Sequence, residues 1–474
     1  MLRKRVIFFI GSTGCMTMLC LCVLAIIARP LQSYMLTLLS ILAERSAYPK
    51  LNAEKLVDLG SVTGVAFSPD GERILVRGEW RYDEETTEEL AHFTLYDKQG
   101  NLIVDLGEAE WGYATPEGPI LVPMSGSQPI GNLGISLASW KLSFWSWDGK
   151  LKQERGEWHG EFPRLIFNSD QSKFVTFRGY GGYGVDAKEE YLWTSDGQQI
   201  ATLHVPEGNE DGIEGVSFSP DGSLIATPSR AATWLWDENG NLLRTLSLPD
   251  DPHVNAEVFF DPNGNNLAVS DDFNHTEIWT IDGQLISILE DVQTLQYSPD
   301  GRYLVGKQYV NGYDDEIILF NIENEFASQS LITYDRLYGI RYDETGERFI
   351  TYGCTDGLSW ESGFFCYGGT ATLWDKNGNR IADLLGLAEV TAADFVPGSN
   401  QTVTAGCDRI VEYSRTIPSY KCLSQSLRLH DDSGKTTAIL RDEAGDFWIS
   451  PNGQLLITTA QRYRGEAILW RLLP

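Results

Sequence analysis

The chain has 474 residues, a formal net charge of −29 and an isoelectric point near 4.5. That acidity argues against nucleic-acid binding, because binding to phosphates depends on clustered lysine and arginine side chains. The length alone would allow two or three ordinary domains. Helix signals are nearly absent after Lys50, however, and glycine and aspartate are abundant, so the composition favours an all-β chain.

The first apolar segment has the length of a membrane span. Val6 to Ala28 contains 23 residues without a charged side chain, and Arg3, Lys4 and Arg5 precede it. A helix of this length crosses about 30 Å of hydrocarbon, and the positive-inside rule keeps its basic end in the cytoplasm. The sequence therefore predicts a single-pass membrane protein with a cytoplasmic N-terminus, the lipid bilayer as one partner, and an extracytoplasmic (periplasmic or extracellular) remainder. A cleaved signal peptide is the alternative.

The clearest repeat unit runs from Val216 to Leu246. It contains four short apolar runs (VSF, LIAT, TWLW and LLRTL), rich in β-branched and aromatic residues, which is typical of strands. The turn Ser219-Pro220-Asp221-Gly222 separates the first two runs, and Asp237-Glu238-Asn239-Gly240 separates the last two. Proline, aspartate, asparagine and glycine favour tight reversals at these positions. The unit is therefore predicted to be a four-stranded antiparallel meander.

A lone meander cannot bury both of its faces, so we expect copies of this unit to stack against it. Such copies follow one another through the chain. The residues that precede the first turn of each copy are spaced 37 to 54 apart: Phe67, Ala114, Phe167, Phe218, Phe260, Tyr297, Tyr342, Phe395 and Ile449. A third-strand signature recurs in step, as in LYDKQG (95–100), FWSWDG (144–149), LWDENG (235–240) and LWDKNG (373–378). Nine units result.

Units whose first strand ends in SPDG and whose third carries a WD-like pair resemble WD-repeat β-propellers. The resemblance covers the chain from Leu56 to its C-terminus. The repeat sequences LWDENGNLL and LWDKNGNRI are similar to those of bacterial WD-type arrays. It implies a β-propeller of four-stranded antiparallel blades, a fold that often serves as an interaction platform. The Gly-His pair typical of the family is absent before the first strand of every unit.

The two ends of the chain predict how the ring closes. The ninth unit stops after its third strand, and residues 54–60 (EKLVDLG) match the fourth-strand run NLIVDLG at 101–107. Because an unpaired edge strand is an aggregation hazard, we expect residues 54–60 to complete the last blade. Nine blades are predicted, with eight as the alternative if the unit around Ala114 is degenerate. The predicted division is 1–30 as cytoplasmic stub and transmembrane anchor, 31–53 as juxtamembrane segment and 54–474 as one propeller.

Four of the seven cysteines lie in pairs near the end of the chain. Cys354 and Cys366 bracket the connection between the second and third strands of the seventh unit, and Cys407 and Cys422 bracket the same connection in the eighth. Antiparallel strands bring such positions within disulfide range. We therefore expect two disulfides, which persist in oxidising compartments. Free thiols and a zinc site are the alternatives, although close CxxC pairs are lacking.

Most insertions fall in connections between second and third strands, which share one face of a propeller. Long loops on one face of a rigid scaffold commonly carry binding sites, and aromatic side chains there are favoured as anchors. The candidate partner-binding residues are Trp80, Tyr82, Tyr180, Tyr183, Tyr309, Tyr313, Trp360, Phe364, Phe365 and Tyr367, together with Tyr413 and Tyr420. The alternative is that these rings only pack the loops onto the rim.

Aromatic residues inside the third strands point to a different role. Because they recur in register, we expect Trp193, Trp234, Trp236, Trp279, Trp374 and Trp470 to form the core between blades. The chain contains no GxSxG, HExxH or phosphate-binding loop, and its six histidines are scattered singly, as expected for surface or turn residues. No cofactor, metal or catalytic residue is predicted.

Two hypotheses of function follow. The preferred one is a membrane-tethered, extracytoplasmic propeller that docks another protein on its long-loop face and has no chemistry of its own. The alternative is an enzyme or a sensor of a small ligand, such as a sugar or peptide, with a site at the central channel, which a propeller can assemble from several blades.

Overall fold

The computed structural model describes residues 48–473 except for 83–88, 130–135, 160–162, 178–188, 207–211, 230–231, 247–256, 272–274, 311–313, 361–362, 415–418, 442–443 and 461–464. Within these residues the chain forms β-strands and one short 3₁₀-helix, Ile322–Asn324, and no α-helix. The fold is all-β, as predicted.

The strands are grouped below into nine units, numbered in chain order. Units one to three contain β1 (Ala53–Phe67), β2 (Arg73–Tyr82), β3 (Glu89–Asp97), β4 (Leu102–Ala109), β5 (Trp111–Thr115), β6 (Gly118–Val122), β7 (Met124–Pro129), β8 (Ser136–Trp145), β9 (Leu151–His159), β10 (Arg164–Phe167), β11 (Lys173–Phe177), β12 (Glu189–Thr194) and β13 (Gln199–His204). Units four to six contain β14 (Ser217–Phe218), β15 (Leu224–Pro228), β16 (Thr233–Asp237), β17 (Leu242–Leu246), β18 (Glu257–Phe260), β19 (Asn266–Ser270), β20 (Thr276–Thr280), β21 (Leu285–Leu289), β22 (Gln293–Tyr297), β23 (Tyr303–Val310), β24 (Asp314–Asn321) and β25 (Ala327–Tyr334). Units seven to nine contain β26 (Arg336–Tyr342), β27 (Arg348–Trp360), β28 (Gly363–Asp375), β29 (Arg380–Asp383), β30 (Glu389–Phe395), β31 (Thr402–Ser414), β32 (Ser419–His430), β33 (Thr436–Arg441), β34 (Asp446–Ile449), β35 (Leu455–Thr459) and β36 (Glu466–Leu472).

Each of units three to eight is a four-stranded antiparallel sheet whose strands pair in chain order. Unit two, around Ala114, departs from this pattern: its second strand is broken at Pro123 into β6 and β7, and both parts pair with β8. Proline has no amide hydrogen to donate to the ladder, which explains the break. Unit two thus keeps the four-stranded plan with one interrupted strand.

The predicted turns form through their own side chains. In unit four the Asp237 carboxylate accepts hydrogen bonds from the backbone amides of Asn239 and Asn241, at 2.9 and 2.8 Å, and from the Asn241 side chain. Gly240 adopts a φ of 79°, which a residue with a Cβ rarely tolerates. The same DxNGN motif begins at Asp375 and makes the same three hydrogen bonds. These local signals fix the register of the third and fourth strands.

Strand β1 is shared by the first and last units. Its N-terminal half, from Ala53 to Ser61, pairs antiparallel with β36, and its C-terminal part, from Val62 to Phe67, pairs with β2. The first turns of these units also touch, because the Asn452 side chain donates to the Asp70 carbonyl at 3.1 Å. Units nine and one are therefore parts of one seven-stranded sheet.

The core lies between consecutive units. The described residues form nine clusters of buried apolar side chains, and each cluster contains residues of at least two consecutive units, including units nine and one. The six third-strand tryptophans predicted as core are all buried. Four of them donate from the indole to a threonine of the second strand: Trp193 to Thr176, Trp236 to Thr227, Trp374 to Thr351 and Trp470 to Thr458. Burial of each large apolar side chain stabilises the fold by roughly 1.5–3 kcal/mol.

The prediction of a single-pass membrane protein is contradicted. Across residues 48–473, apart from the gaps given above, no helix is long and apolar enough to cross a bilayer. A span needs about 20 helical residues, whereas the one described helix has three. Val6 to Ala28, on which the membrane prediction relied, and residues 31–47 lie outside the described residues. The domain division stays a prediction.

Candidate docking face

The second strand of each unit ends, and the third strand begins, at the same end of the sheet, which we call the hairpin face. The prediction placed long loops there. In units seven and eight the strands instead continue outward: β27 and β28 have 13 residues each, and β31 and β32 have 13 and 12. Some residues in these segments favour strand over loop, among them Trp360 and Phe364 in unit seven and Ile410 and Val411 in unit eight, a signal that the loop interpretation underweighted.

A cross-strand cysteine pair joins the two strands of each extended hairpin. Cys354 and Cys366 are at disulfide-bonding distance, as are Cys407 and Cys422, and the Cα atoms of both pairs are 5.7 Å apart. The sulfur–sulfur pairing is the one expected from the sequence. Each disulfide therefore links strands that would otherwise be held together only by ladder hydrogen bonds and side-chain contacts.

Both hairpins carry the same double β-bulge at the disulfide. In unit seven Cys354 pairs with Gly369, Asp356 with Gly368 and Gly357 with Cys366, so one residue is inserted in each strand. Unit eight repeats this register, with Cys407 opposite Gln425, Arg409 opposite Ser424 and Ile410 opposite Cys422. A bulge leaves the inserted residue unpaired and redirects its side chain.

The inserted residues of the third strands are Tyr367 and Leu423, each directly after a cysteine. Tyr367 is 37% exposed and Leu423 is 53% exposed, a large value for an apolar side chain. Tyr367 was among the predicted partner-binding residues. Leu423 was not, although its position after Cys422 matches that of Tyr367 after Cys366, and this repeat could have identified it.

The bases of these two hairpins are anchored by carboxylates. Asp335, in the connection before unit seven, accepts a hydrogen bond from the Gly357 amide at the bulge. In unit eight the bulge residue Asp408 accepts from Ser426 at 2.6 Å and from the guanidinium of Arg428 at 2.8 Å. Arg428 is almost fully buried, so its charge requires this partner.

The connection between units seven and eight fits closely over that buried guanidinium. Gly386 has a φ of 115°, and a Cβ at this position would overlap the Arg428 side chain. The next residues join the hairpins: the Gly369 amide donates to Ala388 at 2.8 Å, and the Ala388 amide donates to Cys407 at 2.7 Å. Backbone hydrogen bonds through Ala388 thus connect the bases of the two hairpins.

A third exposed side chain, Tyr309, lies on the neighbouring unit six. Tyr309 is 46% exposed on β23, and its hydroxyl accepts a hydrogen bond from the Lys307 ammonium at 3.0 Å. Lys307 also lies 3.7 Å from Asp315, whose other oxygen accepts from the Leu337 amide of unit seven at 2.8 Å. Asp315 therefore connects Lys307, the hydrogen-bond partner of Tyr309, to the backbone of unit seven, which carries Tyr367.

Trp80 has a different environment. The guanidinium carbon of Arg77 lies 3.6 Å from the Trp80 ring centroid and 4.1 Å from that of Trp111, so the cation contacts both indoles, whose planes lie at 81° to each other. Burial lowers the pKa of Arg77 to about 10, while Glu110 acts in the opposite direction. Trp80 is therefore half-buried against Arg77, and its partner-binding role stays a prediction.

The other predicted aromatics are described only in part. The backbones of Trp360, Phe364 and Phe365 lie on β27 and β28, and that of Tyr82 ends β2, but their side chains lie outside the described residues. The same holds for Tyr413 and Tyr420, on β31 and β32. Tyr180, Tyr183 and Tyr313 lie entirely outside the described residues. Their partner-binding role stays a prediction.

The described residues include no group of three or more His, Cys, Asp or Glu placed to hold a metal ion. One histidine departs from the predicted surface or turn position: His430 is fully buried, between the hydroxyls of Thr404 and Thr436 at 2.9 and 3.3 Å. Burial, together with the charge of Arg428, lowers the pKa of His430 to about 4. The ring is therefore neutral near pH 7 and acts in a hydrogen-bonded core contact.

A cleft of about 530 Å³ lies on the opposite side, between the first turns of units seven and eight. Its guanidinium, from Arg348, contacts the Asp343 carboxylate at 3.2 Å and lies 5.4 Å from the Phe395 ring. Burial raises the pKa of Asp394, which also lines the cleft. The positive charge of Arg348 is therefore paired with the Asp343 carboxylate of the same chain.

A family model described as "WD domain, G-beta repeat" matches residues 193–237, from the end of β12 to the end of β16. Among solved structures, the C-terminal WD40 domain of Sif2 is 11% identical with a TM-score of 0.47, covering 90% of this chain and 100% of that one. A eukaryotic initiation factor is 12% identical with a TM-score of 0.48, covering 90% of this chain and 88% of that one. Comparison with curated proteins gives no match. The chain thus contains a WD repeat.

Proposed function

We propose that this chain is a WD-type β-propeller of nine units that docks a partner protein on its hairpin face, with no chemistry of its own. The support for nine units is the series of nine inter-unit clusters, the last of which joins units nine and one. A closed ring holds every sheet between two neighbours and leaves the ends of the strands as a rigid rim.

The observation that carries docking is the matched pair of stapled hairpins. Tyr367 and Leu423 sit at equivalent bulges of consecutive units, and Tyr309 lies on the unit beside them. A disulfide, a double bulge and a shared hydrogen-bonded base hold the first two in place before any partner arrives. Exposed aromatic and apolar side chains that are already ordered lose little conformational entropy on binding, which favours affinity.

The test is affinity capture with the purified full chain and with Tyr367→Ala combined with Leu423→Ala. Both side chains are exposed, so the substitutions should leave the fold intact, as circular dichroism and unfolding would verify. Leu102→Ala, on the outer strand β4, removes an equally exposed leucine away from the hairpin face and is the matched control.

We expect the double variant to retain at least tenfold less of a protein that the wild type and the Leu102→Ala control retain equally. Identical sets of retained proteins for all three would contradict docking on the hairpin face.

A further inference from the structure

Among the described residues, the outermost strand of unit five, β21, is an open sheet edge with exposed apolar side chains. It pairs with β20 on one side, and no described strand pairs with it on the other. Its sequence, LISIL, contains only leucine, isoleucine and serine. Ile286 and Ile288 are 47% and 38% exposed, and Ile286 is the residue that a bulge inserts opposite Ile278 and Trp279. Natural edge strands are usually protected by charged residues, proline or a covering segment.

The corresponding strand of unit eight shows how such an edge can be covered. The Leu51 amide donates to the Ile439 carbonyl at 3.0 Å, and the Ile439 amide donates to the Pro49 carbonyl at 3.1 Å. The segment around Lys50 thus runs parallel to β33 as an added piece of strand. Under this cover Ile439 is only 2% exposed. The covering segment is extended, and it combines apolar residues with a lysine.

The charge around β21 indicates the chemistry of a matching partner. The 57 residues between Arg244 and Arg302 contain no lysine or arginine, and they contain eleven aspartates and glutamates. Arg244 of unit four lies 3.3 Å from Asp282, so this cation is already paired with one of these acids. Glu290 and Asp291 directly follow the strand and are exposed. The exposed acids Asp282, Glu290 and Asp291 therefore flank β21, and the sequence of unit five contains no lysine or arginine.

We propose that β21 binds an extended segment of a partner protein that alternates apolar residues with lysine or arginine, by addition as a fifth strand of unit five. Main-chain hydrogen bonds to the open edge would supply affinity, contacts with Ile286 and Ile288 would bury apolar surface, and the flanking acids would select basic side chains. This surface is separate from the hairpin face, so the two proposals can fail independently.

The probe is a fluorescently labelled peptide of about eight residues that alternates valine and lysine, the usual length range of a strand. Its binding to the full chain is measured by fluorescence anisotropy. Ile286→Lys combined with Ile288→Lys places positive charge on the edge without disturbing the core, since both side chains are exposed. Leu102→Lys on β4 is the matched control, and the same peptide with alternate amides N-methylated tests the backbone hydrogen bonds.

We expect saturable binding that weakens with added salt, falls at least tenfold in the double variant, falls at least tenfold for the N-methylated peptide, and is unchanged in Leu102→Lys. Absence of saturable binding, equal binding by the double variant, or equal binding of the N-methylated peptide would overturn the proposal. A sedimentation experiment covers the other occupant: a dimer of the full chain that the double variant abolishes would show that a second copy, and not a basic segment, fills this edge.

Discussion

Removal of the two disulfides should loosen the extended hairpins and leave the ring intact. The sequence separations between the bonded cysteines are 12 and 15 residues. Closure of loops of this length lowers the entropy of the opened chain by an amount equivalent to about 3 kcal/mol each at 25 °C. The hairpins project beyond the inter-unit core, so we expect most of this loss to appear as local opening of the hairpins and little as a change in global stability.

The magnitude can be read from hydrogen exchange. A loss of about 3 kcal/mol in the free energy of local opening corresponds to roughly a hundredfold faster exchange of the amides that open. The comparison uses the wild type and the Cys354→Ser, Cys366→Ser double variant, followed by mass spectrometry of peptides from β27 and β28. The hairpin of β23 and β24 in unit six has no described disulfide and is the internal control.

The expected result is fast exchange in β27 and β28 beyond the disulfide, with β23 and β24 unchanged. The Cys407→Ser, Cys422→Ser variant should show the same change in β31 and β32. If neither pair of hairpin strands exchanges faster, the disulfides do not hold the hairpins. If unit six changes equally, the effect is global, and the assignment of the hairpins as local extensions is wrong.

Three further predictions use unfolding by urea. The pKa of His430 is about 4 in the folded chain against about 6.5 unfolded, so the stability that the neutral ring contributes is complete above pH 6.5 and is lost as the pH falls to 4. Between pH 7 and pH 4 the free energy of unfolding of the wild type should therefore fall by about 3 kcal/mol more than that of His430→Asn. Equal losses would contradict a neutral buried ring. Gly100→Ala should cost about 1 kcal/mol for its positive φ and a further 1–3 kcal/mol because the new Cβ would overlap a β1 side chain, whereas Gly398→Ala, with open space, should cost only the first amount. Arg77→Lys should cost about 1–3 kcal/mol by loss of the guanidinium contacts with the Trp80 and Trp111 rings, and the exposed Arg81→Lys less than about 0.5 kcal/mol. Equal costs would show that these contacts contribute nothing.

The repeat architecture was accessible from the sequence because its signals are local. Prolines, aspartates and glycines at fixed offsets specify the turns, and Trp236 or Trp374 marks a third strand whose side chain must be buried. The match between residues 54–60 and a fourth-strand run was sufficient to place β1 beside β36. The cysteine pairs were identifiable because equal positions in two successive units contained them.

The features that the sequence did not reveal depend on contacts between distant residues. The double bulges that expose Leu423 arise from pairing registers, which residue patterns do not specify. Trp80 looked like a free aromatic because Arg77, three residues before it, and Trp111, on another unit, close around it only in the fold. The burial of His430 likewise requires Thr404 from a neighbouring strand. The membrane prediction used a segment that the structure does not describe.

Closure of the ring through β1 is the central claim, and an engineered cross-link tests it most directly. Glu54 and Arg471 pair across β1 and β36, are exposed, and lie 2.9 Å apart at their charged groups. Glu54→Cys with Arg471→Cys should therefore oxidise to a disulfide between residues 54 and 471, identified by peptide mass, much faster than Glu54→Cys with Asp196→Cys on unit three. Equal and slow oxidation of both pairs would contradict a ring closed by β1.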